Sequence, residues 1–185
     1  DRRDFLWSVA AASSMAGFGP GQTPRSAPNQ PGLKLGTVTY NIAKDWDLPT
    51  LIKNLTDTGF EAVELRTTHK HGVEISLPAS ARAEVRKRFE DSPVKIGGLG
   101  TTCEYQSADP AVLRKNIDET GEWVRLARDL GSPSVKVRPN GLAKEVPEER
   151  TLEQIGKALR ECGAVGADHG VMIQLEVHGE TTSRL

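Results

Sequence analysis

Three short runs of the sequence alternate apolar residues with charged or polar ones. The runs cover residues 62–66, 134–138 and 171–178. Successive side chains of a strand point to opposite faces, so the polar residues of each run share one face. Because burying an unpaired charge costs free energy, these residues must pair with one another, bind an ion or line a wet cavity. The polar set is Glu64, Arg66, Lys136, Arg138, Gln174, Glu176 and His178.

The cations of this set suit the binding of a small polar ligand. Arg66, Lys136 and Arg138 can bind hydroxyl groups, a carboxylate or a phosphate, and arginine is suited to bidentate contacts. The same residues can instead neutralise Glu64 and Glu176. The two roles are compatible, and both place polar chemistry at the strand ends.

Three histidines lie near the same predicted edge. His178 shares the strand face of Glu176 and can contact a substrate, or it is an ordinary polar loop residue. His69 and His71 flank Lys70 in the loop after the second predicted strand. Their spacing lets both rings face one cavity only if the backbone is extended, and exposed loop histidines are the alternative.

The elements that position these residues alternate regularly between strand and helix. The first predicted helix has Asp47 as its N-cap, and a capping-box spacing at residues 151–154 predicts the start of the last helix. Such alternation predicts parallel strands joined by right-handed crossovers, hence an α/β fold. The five predicted strands cover residues 34–41, 61–66, 94–101, 134–138 and 171–178.

The polar strand face distinguishes between two α/β architectures. A doubly wound sheet has helices on both faces, so its strands are apolar on both. A barrel packs helices on the outer face only and uses the inner face and the strand ends for its site. The pattern therefore predicts a partial (β/α)₈ TIM barrel with about five βα units, truncated after the fifth strand.

Composition limits the number of domains and the class of partner. With 185 residues, of which 37% are hydrophobic, the chain predicts a single domain. Its 24 basic and 25 acidic residues leave no broad basic field, which disfavours nucleic acid as a partner. Cys103 and Cys162 are predicted to be unpaired thiols. The oligomeric state is left open, a homo-oligomer included.

The N-terminal residues differ from the rest and are predicted to form an export signal and a disordered linker over residues 1–31, with the folded domain over 32–185. Arg2 and Arg3 precede Phe5-Leu6 and a mildly apolar stretch, as in twin-arginine export signals. That stretch is too short to span a bilayer. The predicted location is periplasmic or otherwise extracytoplasmic.

Residues 63–72, 135–141 and 175–179 together resemble the xylose isomerase-like TIM barrels, grouped as sugar phosphate isomerases and epimerases. The resemblance covers about residues 34–185. It implies a metal-dependent sugar isomerase or epimerase that removes a proton next to a carbonyl group. By this resemblance Glu176 is a ligand of a divalent metal (Mn²⁺, Mg²⁺, Co²⁺ or Zn²⁺) and a candidate base, and the partner is a small carbohydrate. The substrate-binding candidates are Arg66, His69, His71, Lys136, Arg138 and His178.

Two alternatives remain open from the sequence. One is a zinc-dependent phosphodiesterase resembling endonuclease IV, with His69 or His71 joining Glu176 on zinc; the balanced charge and the predicted export count against it. The other is a carbohydrate-binding barrel without catalysis. A structural ion pair of Glu176 with Lys136 or Arg138 is the plain alternative to a metal ligand.

Overall fold

The alternating sequence forms alternating strands and helices in the computed structural model, which describes residues 33–178 and residue 183. The strands are β1 (Gly36–Val38), β2 (Ala62–Arg66), β3 (Lys95–Gly100), β4 (Ser134–Val137) and β5 (Met172–Leu175). The helices are α1 (Leu48–Asp57), α2 (Ala79–Glu90), α3 (Pro110–Leu130) and α4 (Glu148–His169).

All neighbouring strands in the described part of the chain pair in parallel, in the order β1-β2-β3-β4-β5. Sequence order and spatial order therefore coincide, as they do in a barrel built by successive βα units. This arrangement confirms the predicted α/β fold and is consistent with a partial TIM barrel. The carboxyl ends of the strands meet at one edge of the sheet.

Local sequence signals account for most helix ends. Asp47 caps α1 by accepting a hydrogen bond from the backbone N–H of Thr50 at 2.9 Å. Gly131 ends α3 in the left-handed conformation, with φ of 73°, which glycine adopts without steric cost. The Asp47 cap agrees with the sequence prediction.

The start of α4 differs from the prediction. The capping-box spacing placed the N-cap at Thr151, but the helix begins one turn earlier, at Glu148, after Pro147. Proline initiates a helix well, because its φ is preset and it lacks the N–H that a first turn leaves unpaired. The negative charges of Glu148 and Glu149 are stabilised by the positive end of the helix dipole. Thr151 consequently lies inside the helix and is buried.

The apolar strand faces pack under the helices over most of the sheet. Val63, Leu65, Val135 and Val137 are buried, as predicted. The outer face of β5 departs from this pattern. Ile173 is partly buried against the core, whereas Leu175 and Val177 are 47% and 62% exposed.

Close packing of α4 against β5 depends on Gly166. A Cβ there would lie 2.5 Å from the carbonyl oxygen of Val171 and 3.2 Å from a side-chain carbon of Ile173. This contact covers the beginning of β5 and leaves its last residues exposed.

The predicted export signal and linker, residues 1–31, lie outside the described residues, so the predicted localisation is untested and stays a prediction. Within the described residues, none of the helices combines the length and the hydropathy needed to cross a bilayer.

Candidate functional site

A polar cavity of about 290 Å³ lies where the strands end. Each of the five strands contributes its last residues, or those that follow it, to the cavity wall. Five of the seven predicted site residues line the cavity, and His69 and His71 do not. The lining residues are Val38, Tyr40, Arg66, Thr101, Lys136, Arg138, Glu176 and His178.

Lys136 connects two carboxylates across the inner face of the sheet. Its Nζ lies 2.7 Å from Oε1 of Glu64 and 2.9 Å from Oε2 of Glu176. Oε1 of Glu64 is buried and makes no well-aligned hydrogen bond, so the contact with Lys136 is mainly one of charge. The three side chains are 22–31% exposed, which weakens screening by solvent. The charges of Glu64, Lys136 and Glu176 are therefore compensated within this group.

The directions of the pKa shifts of Glu176 and Lys136 agree with an ionised pair. Partial burial acts to raise the pKa of Glu176, but the hydrogen bond from Lys136 and the nearby positive charges outweigh it and lower the pKa below its ordinary value. Burial acts to lower the pKa of Lys136, and the two carboxylates outweigh it, so that pKa is raised. At neutral pH Glu176 is a carboxylate and Lys136 an ammonium.

Glycines of β3 make room for the contacts of Lys136 with Glu64 and Glu176. Gly98 is paired in register with Glu64, and Gly100 with Lys136. A Cβ on Gly100 would lie 2.7 Å from Oε1 of Glu64, in the space the carboxylate crosses to reach β4. A Cβ on Gly98 would lie 2.8 Å from the hydroxyl of Ser134. The glycine-rich strand thus leaves space for side chains of its neighbours.

Arg66 is held on one side of the cavity. Its guanidinium carbon lies 4.4 Å from the centre of the Tyr40 ring, a cation–π contact. Its backbone N–H donates to the hydroxyl of Thr39 at 3.0 Å. Asn41, with φ of 60°, turns the chain sharply after Tyr40, and asparagine tolerates this conformation better than most residues.

Arg138, which follows β4, also lines the cavity. Its terminal nitrogen lies 4.0 Å from a carboxylate oxygen of Glu104, which is beyond hydrogen-bonding distance. Nε of Arg138 is buried and has no hydrogen-bond partner among the described residues. The other carboxylate oxygen of Glu104 accepts a hydrogen bond of 2.6 Å from the amide of Gln106.

His71 lies apart from the cavity and is buried. Its Nδ1 accepts from the backbone N–H of Val73 at 3.1 Å, so Nε2 carries the proton that it donates to the carbonyl of Arg66 at 2.9 Å. Burial is the main reason that the pKa of His71 falls to about 4, against the opposing hydrogen bond to Arg66. Both ring nitrogens are occupied by backbone groups, which counts against a substrate or metal role.

His69 also lies outside the cavity wall. Its Nδ1 is 2.8 Å from the hydroxyl of Thr39. Burial and the charge of Arg66 lower the pKa of His69. The ring centres of His69 and His71 are 6.0 Å apart. The two histidines therefore lie close together, but in the loop after β2 and not at the cavity wall.

The loop that carries these histidines is fixed by Glu74. One oxygen of this carboxylate accepts from the hydroxyl of Thr67 at 2.8 Å, and the other accepts from the backbone N–H of Thr68 at 2.6 Å. Thr68 has φ of 67°, which is unfavourable for a β-branched residue. The carboxylate therefore holds a strained backbone directly after β2.

Sequence reasoning missed Tyr40, Thr101 and Glu74. Tyr40 lies at the end of the first predicted strand, residues 34–41, so its position near the other strand ends was a usable signal. Thr101 anchors β3 to β4, since both its hydroxyl and its backbone N–H donate to the carbonyl of Lys136. Glu74 lies in an irregular loop, where no periodic pattern indicates its contacts.

The described residues are a poor fit for a complete metal centre. They contain no group of three or more His, Cys, Asp or Glu side chains that could hold an ion. Glu176 provides one carboxylate at the cavity wall, and that carboxylate is already paired with Lys136.

A larger cavity, of about 670 Å³, lies between α3 and α4. It contains none of the predicted site residues. Arg114 and Glu161, which line it, form an ion pair of 2.7 Å between the two helices. The chemistry of the strand ends is therefore confined to the smaller cavity.

Five parallel strands in sequence order, with a polar cavity at their carboxyl ends, are the arrangement expected for part of an α/β barrel. Residues 52–184 match the family described as xylose isomerase-like TIM barrels, and the chain belongs to this family. No sequence among the curated proteins matches the chain.

Solved structures share the fold at low sequence identity. A zinc-bound IolI protein has a TM-score of 0.68 at 17% identity, covering 77% of this chain and 51% of that one. A D-psicose 3-epimerase in the presence of D-fructose has a TM-score of 0.66 at 15% identity, with 78% and 52% covered. An L-ribulose 3-epimerase has a TM-score of 0.63 at 21% identity, with 78% and 49% covered. The chain thus spans about half the length of these structures.

Proposed function

We propose that this chain contributes to the active site of an isomerase or epimerase that acts on a sugar or sugar derivative. The observation that carries the proposal is the pair of Glu176 and Lys136, 2.9 Å apart at the wall of the cavity. The pair provides an ionised carboxylate and an ammonium side by side. The likeness to structures named as sugar epimerases supports the choice of substrate class.

The proposed reaction begins with a sugar carbonyl directed toward Lys136. The carboxylate of Glu176 removes the proton from the neighbouring carbon, and the C–H electron pair forms a carbon–carbon double bond while the carbonyl electrons move to the oxygen. The ammonium of Lys136 stabilises the negative charge that develops on this oxygen. Delivery of a proton from solvent to the opposite face of the carbon gives the epimer. Delivery of a proton to the former carbonyl carbon gives the isomer, as the hydroxyl proton of the neighbouring carbon passes to the original carbonyl oxygen.

The pKa directions agree with these roles. A lowered pKa keeps Glu176 ionised and able to accept a proton at neutral pH, although it makes the carboxylate a weaker base. A raised pKa keeps Lys136 protonated. Glu64 balances the charge of Lys136 when Glu176 is protonated during the reaction.

We further propose that Glu176 contributes one carboxylate to a divalent metal ion. Its other donors would lie outside the residues described here. When bound, such an ion would polarise the sugar carbonyl. The candidate ions are Mn²⁺, Mg²⁺, Co²⁺ and Zn²⁺, and zinc is named in one similar structure.

The test is proton exchange at the carbon next to the carbonyl. The full-length protein is incubated with D-fructose or another ketohexose in D₂O, with Mn²⁺ or Zn²⁺ added, and deuterium incorporation is followed by NMR. Glu176→Gln keeps the shape of the side chain and removes the carboxylate charge, so we expect exchange to stop. Glu153→Gln, on the exposed face of α4, is the matched control and should exchange at the wild-type rate.

Metal content and stability measured on the same variants separate the roles of Glu176. Loss of exchange with a lowered metal content supports the ligand role, and loss of exchange with full metal content supports the base alone. Full exchange by Glu176→Gln would contradict both. Binding of ketohexoses by the wild-type protein without exchange would favour the carbohydrate-binding alternative.

A further inference from the structure

Two arginines flank the cavity without a close carboxylate partner. In residues 33–178, no carboxylate forms an ion pair with Arg66, whose described partner is the Tyr40 ring. Arg138 has Glu104 at 4.0 Å, and its Nε has no acceptor in the same part of the chain. Guanidinium groups that are partly removed from water and lack an acceptor carry an unfavourable desolvation cost.

Lys136 lines the same cavity and, unlike the two arginines, has close carboxylate partners. Its ammonium is satisfied by Glu64 at 2.7 Å and Glu176 at 2.9 Å. The carboxylates of the inner face are therefore committed to the lysine. At the cavity wall, Arg66 and Arg138 therefore remain able to bind a negatively charged group of a ligand.

We propose that Arg66 and Arg138 form a subsite for an oxyanion group of the substrate, so that the preferred ligand is an acidic sugar, carrying a carboxylate or a phosphate, and not a neutral one. This inference rests on the proposed function. The planar guanidinium matches both oxyanions through paired N–H donors. Tyr40 packs against the guanidinium of Arg66 and restricts it, which reduces the entropy lost on binding.

The placement of the subsite agrees with the proposed reaction. Arg66 ends β2 and Arg138 follows β4, while Glu176 follows β5. All three line one cavity of about 290 Å³, near the lower end of the range for small-molecule sites. An acidic group bound by the arginines would hold a single sugar with another part of the molecule near Glu176 and Lys136.

Calorimetric titration of the full-length protein with three matched sugars tests the subsite. D-glucose, D-glucuronate and D-glucose 6-phosphate differ only at the sixth carbon. We expect at least one acidic sugar to bind about tenfold or more tightly than D-glucose, since a charge-assisted bidentate contact is worth that factor. A preference for D-glucuronate identifies a carboxylate and a preference for D-glucose 6-phosphate a phosphate.

Substitutions connect this preference to the arginines. Arg66→Met and Arg138→Met should each reduce the ratio of the affinity for the acidic sugar to the affinity for D-glucose about tenfold. Arg66→Lys keeps the charge without the fork and should retain part of the preference. Arg150→Met, an exposed site on α4, should change neither. Thermal melting confirms that each variant is folded.

The outcomes separate this inference from the proposed function. Equal affinity for D-glucose and both acidic sugars, or a preference that survives both methionine substitutions, would overturn the oxyanion subsite while leaving sugar binding intact. Failure of all three sugars to bind, together with absence of proton exchange on ketohexoses, would contradict the proposed function and the subsite with it.

Discussion

A Cβ on Gly100 would lie 2.7 Å from Oε1 of Glu64, closer than such atoms approach in folded proteins. The missing side chain on β3 is what allows a carboxylate from β2 to reach Lys136 on β4. The ion pair between Glu64 and Lys136 therefore depends on Gly100, because only glycine leaves space for the carboxylate at this position.

The first prediction follows from this contact. Gly100→Ala should displace the Glu64 carboxylate from Lys136 and lower the free energy of unfolding by about 1 kcal/mol, because a partly exposed ion pair is weakened. Gly97→Ala is the matched control on the same strand, because its Cβ would meet its nearest atom at an ordinary 3.6 Å. Urea denaturation at neutral pH compares the two. Equal losses in both variants would show that the Glu64 contact is not the cause.

The second prediction concerns Lys136. Lys136→Met removes the shared counterion of Glu64 and Glu176, so we expect a loss of roughly 1–3 kcal/mol at pH 7, between the values for surface and buried pairs. The lowered pKa of Glu176 stabilises the folded protein above the ordinary value of 4.5, and this contribution is lost as the pH falls through the folded pKa. The deficit of Lys136→Met should therefore shrink toward pH 4.

Denaturation curves at pH 7 and pH 4 provide the measurement for Lys136→Met. Lys115→Met, an exposed position on α3, is the control and should lose little at either pH. A deficit that is the same at both pH values would argue against carboxylate repulsion as its source.

The third prediction is a pH dependence from His71. Its pKa is about 4 in the folded protein, against an ordinary value of 6.5. Between these values the unfolded chain binds a proton that the folded chain does not, so stability is complete above pH 6.5 and falls as the pH drops toward 4. The full loss from this one group is roughly 3 kcal/mol.

Substitution isolates the contribution of His71. His71→Gln should lower stability at pH 7.5, because the two backbone contacts are weakened, and should flatten the dependence on pH between 7 and 5. His169→Gln, at the end of α4, should keep the wild-type slope. A slope unchanged in His71→Gln would mean that the acid sensitivity has another origin.

The fourth prediction concerns the strained backbone at Thr68. Asparagine tolerates φ of 67° better than threonine does, so Thr68→Asn should raise the free energy of unfolding by about 1 kcal/mol. Thr58→Asn makes the same change where φ is −98° and should bring no gain. Thermal melting of both variants distinguishes relief of strain from a general effect of asparagine. A lower melting temperature for Thr68→Asn would show that the threonine side chain contributes more than its backbone costs.

The sequence by itself determined the order of the elements and the face of each strand. A period of two assigns Glu64, Lys136 and Glu176 to the inner face because neighbouring side chains of a strand point in opposite directions. The alternation of strands and helices predicts parallel pairing, because a helix between two strands returns the chain to the end of the sheet where the first strand began. These signals are local, and they were confirmed.

The tertiary structure alone decided which of these residues meet. Periodicity assigns a face but not the register between strands, and the bridge from Glu64 over Gly100 to Lys136 depends on that register. The loop histidines show the same limit. Their types suggested chemistry, but the turn after β2 buries His71 against backbone groups and leaves Tyr40, from another loop, beside Arg66. Contacts between distant segments follow from how the chain packs, which no single segment encodes.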